Sequence, residues 1–419
     1  MWISNLHSKS MLYQINSNAL YVLILLFTPI TSGIENMDAK KLSASIAQFS
    51  WKFCNELQKD KSVVSSPLSA EFVLALLTLG TTEPSHSELL SSLGISDDDS
   101  IRSAFSTVSS KIKSVKGVTL NVANKVYIMD GGYELQDKLK EDAEKVFDAG
   151  LEKVDFGNAA AASDLINKWV ESKTNNKIKD LLSADSFNSD TRLVLVNALY
   201  FKGTWTKQFN PQSTMDQPFH VNASTTIDVP MMYKEDDYKY GESQQLDAQL
   251  LELKYVGGDA SMLIVLPKDI EGLNGVLKKL ADGYDLTADL EKMHTHKVSV
   301  SIPKFKIETE IDLAELLPKL GIKAIFDQDN SGLTKLLNSP EPLYVSKAVQ
   351  KAFIEVNEEG AEAAAATAGA VRKRRALATA QVFRADRPAL WCVAVGGLVS
   401  FAATYRPRPA AGAATRDEL

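Results

Sequence analysis

Apolar residues recur at helical spacing through the first half of the chain. From Lys41 onward they share one face of a predicted amphipathic helix: Leu42, Ile46, Phe49 and Phe53. A second, strongly apolar helix is expected after Ser66-Pro67, because serine is a good N-cap and proline is favoured at the first helical position. Residues 134–147 are predicted to form a helix, and another is expected within residues 161–182.

Strand patterns dominate the second half. Residues 192–201 are apolar at both odd and even positions, which predicts a strand buried on both faces. Strands are also expected at residues 121–129 and 262–266, and residues 298–302 alternate as a half-buried strand does. Helices come first, strands follow, and no βαβ repeat is visible. The pattern therefore predicts an α+β fold with large sheets.

Composition indicates a large globular protein without a dividing linker. The chain has 419 residues and a formal net charge of -7, which argues against general nucleic-acid binding. Three lysines near one predicted helix, Lys111, Lys113 and Lys116, are interpreted as a solvated face, with a heparin patch as the alternative.

The residues that could carry chemistry are sparse. Cys54 lies on an apolar helical face and is expected to be a small buried residue; a Cys54–Cys392 disulfide is the alternative. His294-Thr295-His296 lacks an accompanying carboxylate or cysteine cluster, so no metal site is expected. No nucleophile–base arrangement suggests a hydrolase. The chain is therefore predicted to be neither an enzyme nor a cofactor-binding protein.

Both ends of the chain carry segments that resemble targeting signals. Residues 1–33 resemble a signal peptide: residues 19–27 are apolar, Pro29 follows, and Thr31-Ser32-Gly33 offers small residues for cleavage. The apolar run is shorter than the ~20 residues of a membrane span. An uncleaved anchor, or an untranslated leader with Met37 as the start, remains as an alternative.

The chain ends in a variant of the KDEL-type retention signal, formed by Arg416, Asp417, Glu418 and Leu419. We therefore expect the protein in the lumen of the endoplasmic reticulum or the early secretory pathway, or secreted, with a retrieval receptor as one partner and no membrane association. Asn222-Ala223-Ser224 is a sequon, which makes Asn222 a glycosylation candidate.

A small-residue segment precedes a run of four basic residues. The segment comprises Glu358, Glu359, Gly360, Ala361, Glu362, Ala363, Ala364, Ala365, Ala366 and Thr367. The basic run comprises Arg372, Lys373, Arg374 and Arg375. An alanine-rich helix is the alternative reading of the first segment, because alanine has the highest helix propensity.

Several further motifs occur in the order and approximate spacing of inhibitory serpins. They are Asn167-Lys168-Trp169-Val170, Thr174-Asn175-Asn176-Lys177-Ile178, Asn197-Ala198-Leu199-Tyr200 with Phe201-Lys202-Gly203-Thr204-Trp205, Phe209-Asn210-Pro211 with Thr214, Pro303-Lys304-Phe305 and Val356-Asn357-Glu358-Glu359-Gly360. The chain thus resembles the serpin family from Ala39 to Thr367. The resemblance implies three β-sheets, about nine helices, a metastable native state and an exposed reactive loop.

The resemblance also implies a domain layout and roles. A monomeric serpin domain would span residues 38–405, with the reactive loop at about 358–380 and a flexible tail at 406–419. The small-residue segment becomes the hinge that inserts into the central sheet as a new strand. Glu358 should pair with Lys304. Shutter positions beneath the opening strands fall on Ser66, Ser69, Asn197 and Gln350, the last where many members carry histidine.

The basic run predicts the partner to be a serine protease. Furin-like proprotein convertases require Arg-X-Lys/Arg-Arg, which places the cut between Arg375 and Ala376. Counting from Gly360 places it instead between Arg374 and Arg375. We expect a suicide-substrate inhibitor of such convertases.

The alternatives are an inhibitor of trypsin-like proteases, a non-inhibitory chaperone like the collagen-specific serpin, and a simple processing site. After the loop, residues 389–405 depart from the family pattern. Failure of the last two strands to form would reduce stability and inhibitory activity.

Overall fold

The computed structural model describes residues 36–339, 341–360 and 380–408. Nine α-helices lie within these ranges: α1 Asn36–Asn55, α2 Pro67–Thr78, α3 Ser85–Leu93, α4 Asp98–Ser114, α5 Asp137–Lys145, α6 Ala159–Lys173, α7 Leu273–Ala281, α8 Thr287–Glu291 and α9 Leu313–Leu316. Their strands are β1 Val63–Ser65, β2 Val118–Met129, β3 Gly150–Val154, β4 Leu193–Gly203, β5 Met215–His220, β6 Thr226–Ser243, β7 Ala248–Lys254, β8 Ala260–Pro267, β9 His294–Pro303, β10 Phe305–Asp312, β11 Val345–Val356, β12 Gln381–Arg384, β13 Leu390–Val395 and β14 Leu398–Thr404.

A five-stranded sheet in the order β10-β11-β4-β2-β3 forms the centre of the fold. Strand β4 has the predicted burial on both faces. Leu193 and Leu195 pack into the cluster that contains α2, whereas Val194 and Val196 pack into the cluster that contains α6. A strand with apolar side chains on both parities can be stable because each face meets a helix layer.

The other nine strands form one hydrogen-bonded path, β1-β14-β13-β8-β7-β6-β9-β12, with β5 paired to β6. Strand β6 is 18 residues long and pairs in turn with β5, β9 and β7. Its length joins what the resemblance describes as two separate sheets. The fold class is confirmed as α+β, and the described strands form two continuous hydrogen-bonded sheets.

The divergent C-terminal segment folds into the core. Strands β13 and β14 form an antiparallel hairpin whose turn, Gly396-Gly397, has φ of 58° and 81°. Glycine suits both positions because left-handed backbone carries no Cβ penalty there. Trp391 and Phe401 are almost completely buried. The two strands whose formation the sequence left open are therefore present.

Two details of the sequence interpretation are wrong. The helix expected at residues 134–147 is shortened to α5, because Leu135 bridges to Leu337 and the Gln136 amide donates to the Leu336 carbonyl. The strand predicted at residues 298–302 is present within β9, but of its two serines only Ser299 is partly exposed, whereas Ser301 is 8% exposed. Register places Tyr233 and Arg384 on either side of Ser301, so long neighbouring side chains shade that face.

Both cysteines are free thiols, so the disulfide alternative does not apply to this structure. Cys54 and Cys392 belong to the same apolar cluster, and burial raises the pKa of Cys54 to about 12. Among the helices of the described ranges, none has both the length and the hydropathy of a membrane span.

Candidate functional site

Glu358 lies two residues after the end of β11, at the start of the predicted hinge, and its carboxylate has two side-chain partners. Its Oε2 is 2.9 Å from Lys304 Nζ, the pairing that the resemblance implies, and its Oε1 accepts a hydrogen bond from Thr214 Oγ1 at 2.8 Å. Burial opposes ionisation, but the hydrogen bonds from Lys304 and Thr214 outweigh it and lower the pKa of Glu358. The carboxylate therefore anchors this end of the sheet in its charged form.

Three donors hold the backbone that follows β11. The Trp205 indole Nε1 donates to the Asn357 carbonyl at 2.9 Å, the Phe209 amide donates to the Glu358 carbonyl at 2.8 Å, and the Trp205 amide donates to the Glu359 carbonyl at 2.9 Å. Trp205 itself stacks on Tyr255 with ring centroids 4.4 Å apart. We call this set of bonds the hinge clamp, because it fixes the last three residues before Gly360.

Gly360 adopts a conformation that only glycine accommodates at this position. Its φ is 112°, and a Cβ there would lie 2.2 Å from the Gly203 carbonyl oxygen. Any side chain would therefore collide with the backbone at the end of β4. Beyond Gly360, the chain starts its undescribed segment from a point directly beside β4.

A row of three polar side chains crosses the central sheet below the hinge. Asn124 on β2, Asn197 on β4 and Gln350 on β11 are in register. Gln350 Nε2 donates to Asn197 Oδ1 at 2.6 Å, and Asn197 Nδ2 donates to Asn124 Oδ1. All three residues are at most 3% exposed, so their polar atoms depend on hydrogen bonds to one another and to neighbouring protein groups.

The N-terminus of α2 closes this row from one face. Gln350 Oε1 accepts from the Ser66 amide at 2.8 Å, and Gln350 Nε2 also donates to the Ser66 carbonyl at 2.9 Å. Ser69 Oγ donates to Asn124 Oδ1 at 3.0 Å and accepts from Asn197 Nδ2. The glutamine amide therefore performs both the donor and the acceptor functions at this position.

Two residues of this arrangement were missed by the sequence interpretation. Thr214 was noted as part of a motif but not as a partner of Glu358, and Asn124 was read only as part of a strand. A polar amide among buried apolar strand residues was the available signal for Asn124, because such groups require partners. Nothing local to Thr214 identifies its partner, which is 144 positions away.

The central pair of strands has the geometry that strand insertion requires. β11 and β4 are hydrogen-bonded to each other and parallel, from Val345–Leu193 to Phe353–Tyr200. Parallel pairing is slightly less stable per residue than antiparallel pairing. A segment returning from Gly360 would run antiparallel to both strands, and could form antiparallel ladders on each side in place of one parallel ladder.

Several predicted site residues lie outside the described residues. They are Ala361, Glu362, Ala363, Ala364, Ala365, Ala366 and Thr367 of the hinge, the basic run Arg372, Lys373, Arg374 and Arg375 with Ala376, and the terminal Arg416, Asp417, Glu418 and Leu419. The proposed spacer begins in the described part. There, Arg406 donates to Asn274 Oδ1 at 2.9 Å and its amide donates to Ser62 Oγ at 2.8 Å, so position 406 is held by the body of the protein.

The remaining candidates are on the surface. Asn222 lies in the turn between β5 and β6, where its Oδ1 accepts hydrogen bonds from the amide and hydroxyl of Ser224. His294 and His296 are exposed in β9. Within the described ranges, no group of three or more metal-ligating side chains occurs. Of the three lysines near α4, Lys113 pairs with Asp148 at 3.2 Å.

Comparison with known proteins gives a consistent result. A family model described as "Serpin (serine protease inhibitor)" matches residues 44–395. Antichymotrypsin-2 of Bombyx mori is 44% identical over 348 residues, which cover 83% of this chain and 92% of that protein. Antitrypsin of Bombyx mori is 44% identical over 343 residues, covering 81% and 87%.

Solved structures agree with the sequence comparison. The crystal structure of Serpin48 from Tenebrio molitor has a TM-score of 0.80 and 32% identity, covering 90% of this chain and 100% of that one. Cleaved Serpin 42Da has a TM-score of 0.79 and 33% identity, covering 89% and 100%. The family description is that of an inhibitor and not of a catalyst. These matches show that the chain belongs to the serpin family of serine protease inhibitors.

Proposed function

We propose that this serpin is a suicide-substrate inhibitor of furin-like proprotein convertases. The observation that carries the trapping mechanism is the direct parallel pairing of β4 with β11, next to the point where the chain leaves Gly360. One more strand could be inserted between β4 and β11 and pair with both of them. The segment that follows Gly360 begins with alanines, which are small enough to enter a close-packed sheet.

The chemistry would be that of an interrupted proteolysis. The protease serine Oγ attacks the carbonyl carbon of Arg375, the Arg375–Ala376 peptide bond breaks, and the new amine of Ala376 leaves with a proton. An acyl-enzyme ester on Arg375 remains. Insertion of the segment after Gly360 between β4 and β11 then moves the attached protease before water can hydrolyse the ester. The free energy comes from a native state that is kinetically trapped.

The basic run supports the choice of a convertase. Arg372, Lys373, Arg374 and Arg375 satisfy Arg-X-Lys/Arg-Arg, and each guanidinium can make charge-assisted hydrogen bonds in an acidic cleft. A trypsin-like target is the second candidate, because the name of one relative, Antitrypsin, refers to a trypsin. That target would need one arginine and is compatible with cleavage between Arg374 and Arg375.

We propose the lumen of the endoplasmic reticulum as the site of action. The predicted signal peptide and the terminal tetrapeptide support this location. Asn222 is proposed as a glycosylation site, since the Ser224 hydroxyl already lies 3.0 Å from its Oδ1 in an exposed turn. The tetrapeptide would bind a retrieval receptor, which would return the protein to the endoplasmic reticulum.

Incubation with furin and, separately, with trypsin tests the function. We expect an adduct with furin that resists boiling in SDS, together with a released C-terminal peptide whose mass corresponds to a start at Ala376. A start at Arg375 would support the alternative frame. Complete cleavage without an adduct, and no rise in melting temperature after cleavage, would overturn the inhibitor proposal in favour of the chaperone-type alternative.

A further inference from the structure

A cleft of about 390 Å³ lies between α2, α4 and the first half of β2. Its mouth is at the protein surface, because Lys113 and Lys173 of its lining are exposed. Its inner end reaches the polar row of the central sheet, where Asn124 lines it together with Ser66 and Ser69. The volume lies within the range of about 300–1,000 Å³ that is usual for small-molecule sites.

The walls between the mouth and the polar row are apolar. Val118, Leu120 and Val122 alternate along β2 and therefore share the face of the strand on which Asn124 lies. Phe72 of α2 also lines the cleft. Val118 and Leu120 are only partly buried, and Val122 is 36% exposed. A ligand with an apolar body would remove this surface from water, which is favourable.

Asn124 has an unused donor at the inner end of the cleft. Its Oδ1 accepts two hydrogen bonds, from Ser69 Oγ at 3.0 Å and from Asn197 Nδ2, whereas its Nδ2 donates to no group of the described residues. This nitrogen is not among the fully enclosed unpartnered atoms of those residues, so it keeps accessible surface. Because Asn124 is 3% exposed and lines the cleft, an acceptor for this nitrogen must come from the cleft. A bond to it would offset the cost of burying an unpaired amide.

The charged groups of the cleft lie at its mouth. Lys113 pairs with Asp148 at 3.2 Å, and both side chains are more than half exposed. Lys173 is exposed as well. Among the described residues that line the cleft, no charged side chain is buried. An ionic group at the inner end would lose its hydration without meeting an opposite charge, so the cleft favours a neutral molecule.

We propose that this cleft binds a neutral apolar molecule that carries a carbonyl group at one end. The carbonyl oxygen accepts a hydrogen bond from Asn124 Nδ2, and the apolar body lies along the exposed side of β2. The hydroxyls of Ser66 and Ser69 already donate, to the Ser400 carbonyl and to Asn124 Oδ1. The Asn124 amide is therefore the remaining side-chain donor at this end.

Occupation of the cleft would fix the direction of the amide row. Gln350 donates to Asn197, and Asn197 donates to Asn124, so each amide nitrogen meets the oxygen of the next amide. Rotation of the Asn124 amide by half a turn would place its nitrogen against Asn197 Nδ2, which is also a donor. A carbonyl bound to Asn124 Nδ2 favours the observed orientation, and with it the Gln350–Asn197 bond that insertion must break. The effect on insertion rests on the proposed function, whereas binding itself does not.

Calorimetric titration of the full-length protein with acetophenone, ethylbenzene and benzoate tests the site. The three probes share a ring, and only benzoate is charged. We expect acetophenone and ethylbenzene to bind about tenfold more tightly than benzoate. Tightest binding of benzoate would overturn the neutral class of ligand, and no binding of any probe would overturn the site.

Val122→Trp places a large side chain in the cleft and should weaken the binding of acetophenone and ethylbenzene about tenfold. Val382→Trp is the matched control and should bind both as the natural chain does, because Val382 is 65% exposed on β12, away from the cleft. Equal effects of the two substitutions, or no effect of Val122→Trp, would overturn the location.

Asn124→Asp tests the hydrogen bond. The substitution keeps Oδ1 and replaces the donor nitrogen by a carboxylate oxygen. Acetophenone should bind about tenfold more weakly to a variant of normal melting temperature, while the affinity for ethylbenzene should change less than about twofold. Equal changes for the two probes would overturn the role of Asn124.

An infrared measurement on the natural chain gives a test that does not depend on the folding of a variant. The carbonyl stretch of bound acetophenone should lie at a lower frequency than in an alkane solvent, because a hydrogen bond weakens the carbonyl bond. A frequency equal to that in the alkane would overturn the assigned bond.

The coupling is measured by insertion of a synthetic peptide that corresponds to residues 361–374. Saturating acetophenone should slow insertion about fivefold in the natural chain and have no effect in Val122→Trp. An unchanged rate at proven saturation would overturn the coupling. Failure of the peptide to insert into the ligand-free protein would instead count against the proposed function, so the two failures are distinguishable.

Discussion

Gln350 on β11 donates a hydrogen bond to Asn197 on β4 at 2.6 Å, directly across the parallel pair that insertion must separate. The same amide is bonded to both backbone groups of Ser66 at the start of α2. One uncharged side chain therefore connects the two strands to the helix beneath them. Separation of β4 from β11 requires the buried Gln350–Asn197 bond to break.

Replacing Gln350 with leucine should destabilise the closed sheet. The change leaves the Ser66 amide, the Ser66 carbonyl and Asn197 Oδ1 without their partner, and we expect a loss of about 2–3 kcal/mol. The midpoint of urea unfolding measures it. Gln249→Leu is the matched control, because Gln249 is only part-buried. Equal losses in the two variants would contradict the role assigned to Gln350.

Gln350→His should introduce a pH dependence that the natural chain lacks at this position. Glutamine does not titrate, whereas histidine changes charge near pH 6.5. We expect the rate of sheet opening, followed by insertion of a synthetic peptide corresponding to residues 361–374, to rise in the variant as pH falls from about 8 to 5.5. Identical pH profiles for the variant and the natural chain would contradict this expectation.

The Glu358–Lys304 pair should make the hinge sensitive to acid. The pKa of Glu358 is lowered from its ordinary value of 4.5, so the folded state favours the ionised carboxylate. This contribution is complete above the ordinary value and is lost as pH falls through the lowered value. Glu358→Gln should therefore have a lower melting temperature than the natural chain at pH 7, and the difference should shrink towards about pH 3. A difference independent of pH would exclude this pair as its source.

The basic run predicts that substitution of two neighbouring arginines affects inhibition to different extents. Arg375→Ala should abolish adduct formation with furin, and Arg374→Ala should weaken it, because the first residue precedes the proposed cut. Arg384→Ala, outside the basic run, is the control and should behave as the natural chain. Loss of inhibition of both furin and trypsin by Arg374→Ala alone, with no effect of Arg375→Ala, would establish the other frame.

Ala361→Arg should convert the inhibitor into a substrate. A guanidinium that must enter the packed sheet without a partner opposes the first step of insertion. Cleavage at the basic run should continue while the adduct disappears from SDS gels. Glu362→Arg is the matched control, since alternate residues of an inserted strand face outward. An undiminished adduct with Ala361→Arg would mean that this side chain does not enter the sheet.

Removal of residues 416–419 should release the protein from the cell. The tetrapeptide would be read by a receptor, so its loss leaves the signal peptide to direct secretion. Immunoblots of medium and lysate measure the distribution, and a deletion of residues 410–413 that preserves the tetrapeptide is the control. Equal secretion of the full-length and truncated proteins would show that the terminal tetrapeptide does not affect localisation.

Local pattern determined much of this protein by itself. Apolar residues on both parities identified β4 as a doubly buried strand, and Ser66-Pro67 identified the start of α2. These features depend on near neighbours, because burial on both faces and helix capping act over a few residues. The family motifs then predicted the Glu358–Lys304 pair and the positions Ser66, Ser69, Asn197 and Gln350, which the structure joins by hydrogen bonds.

Tertiary structure decided the features that depend on distant partners. Asn124 completes the polar row because β2 and β11 flank β4, and Thr214 reaches Glu358 across 144 positions. Leu135 is not part of the predicted helix because it forms an antiparallel β-bridge with Leu337. In each case the group is hydrogen-bonded to, or buried against, a residue of another element that is distant in the chain. A local sequence pattern indicates that a buried polar group needs a hydrogen-bond partner. Only the packing of the elements determines which residue is close enough to be that partner.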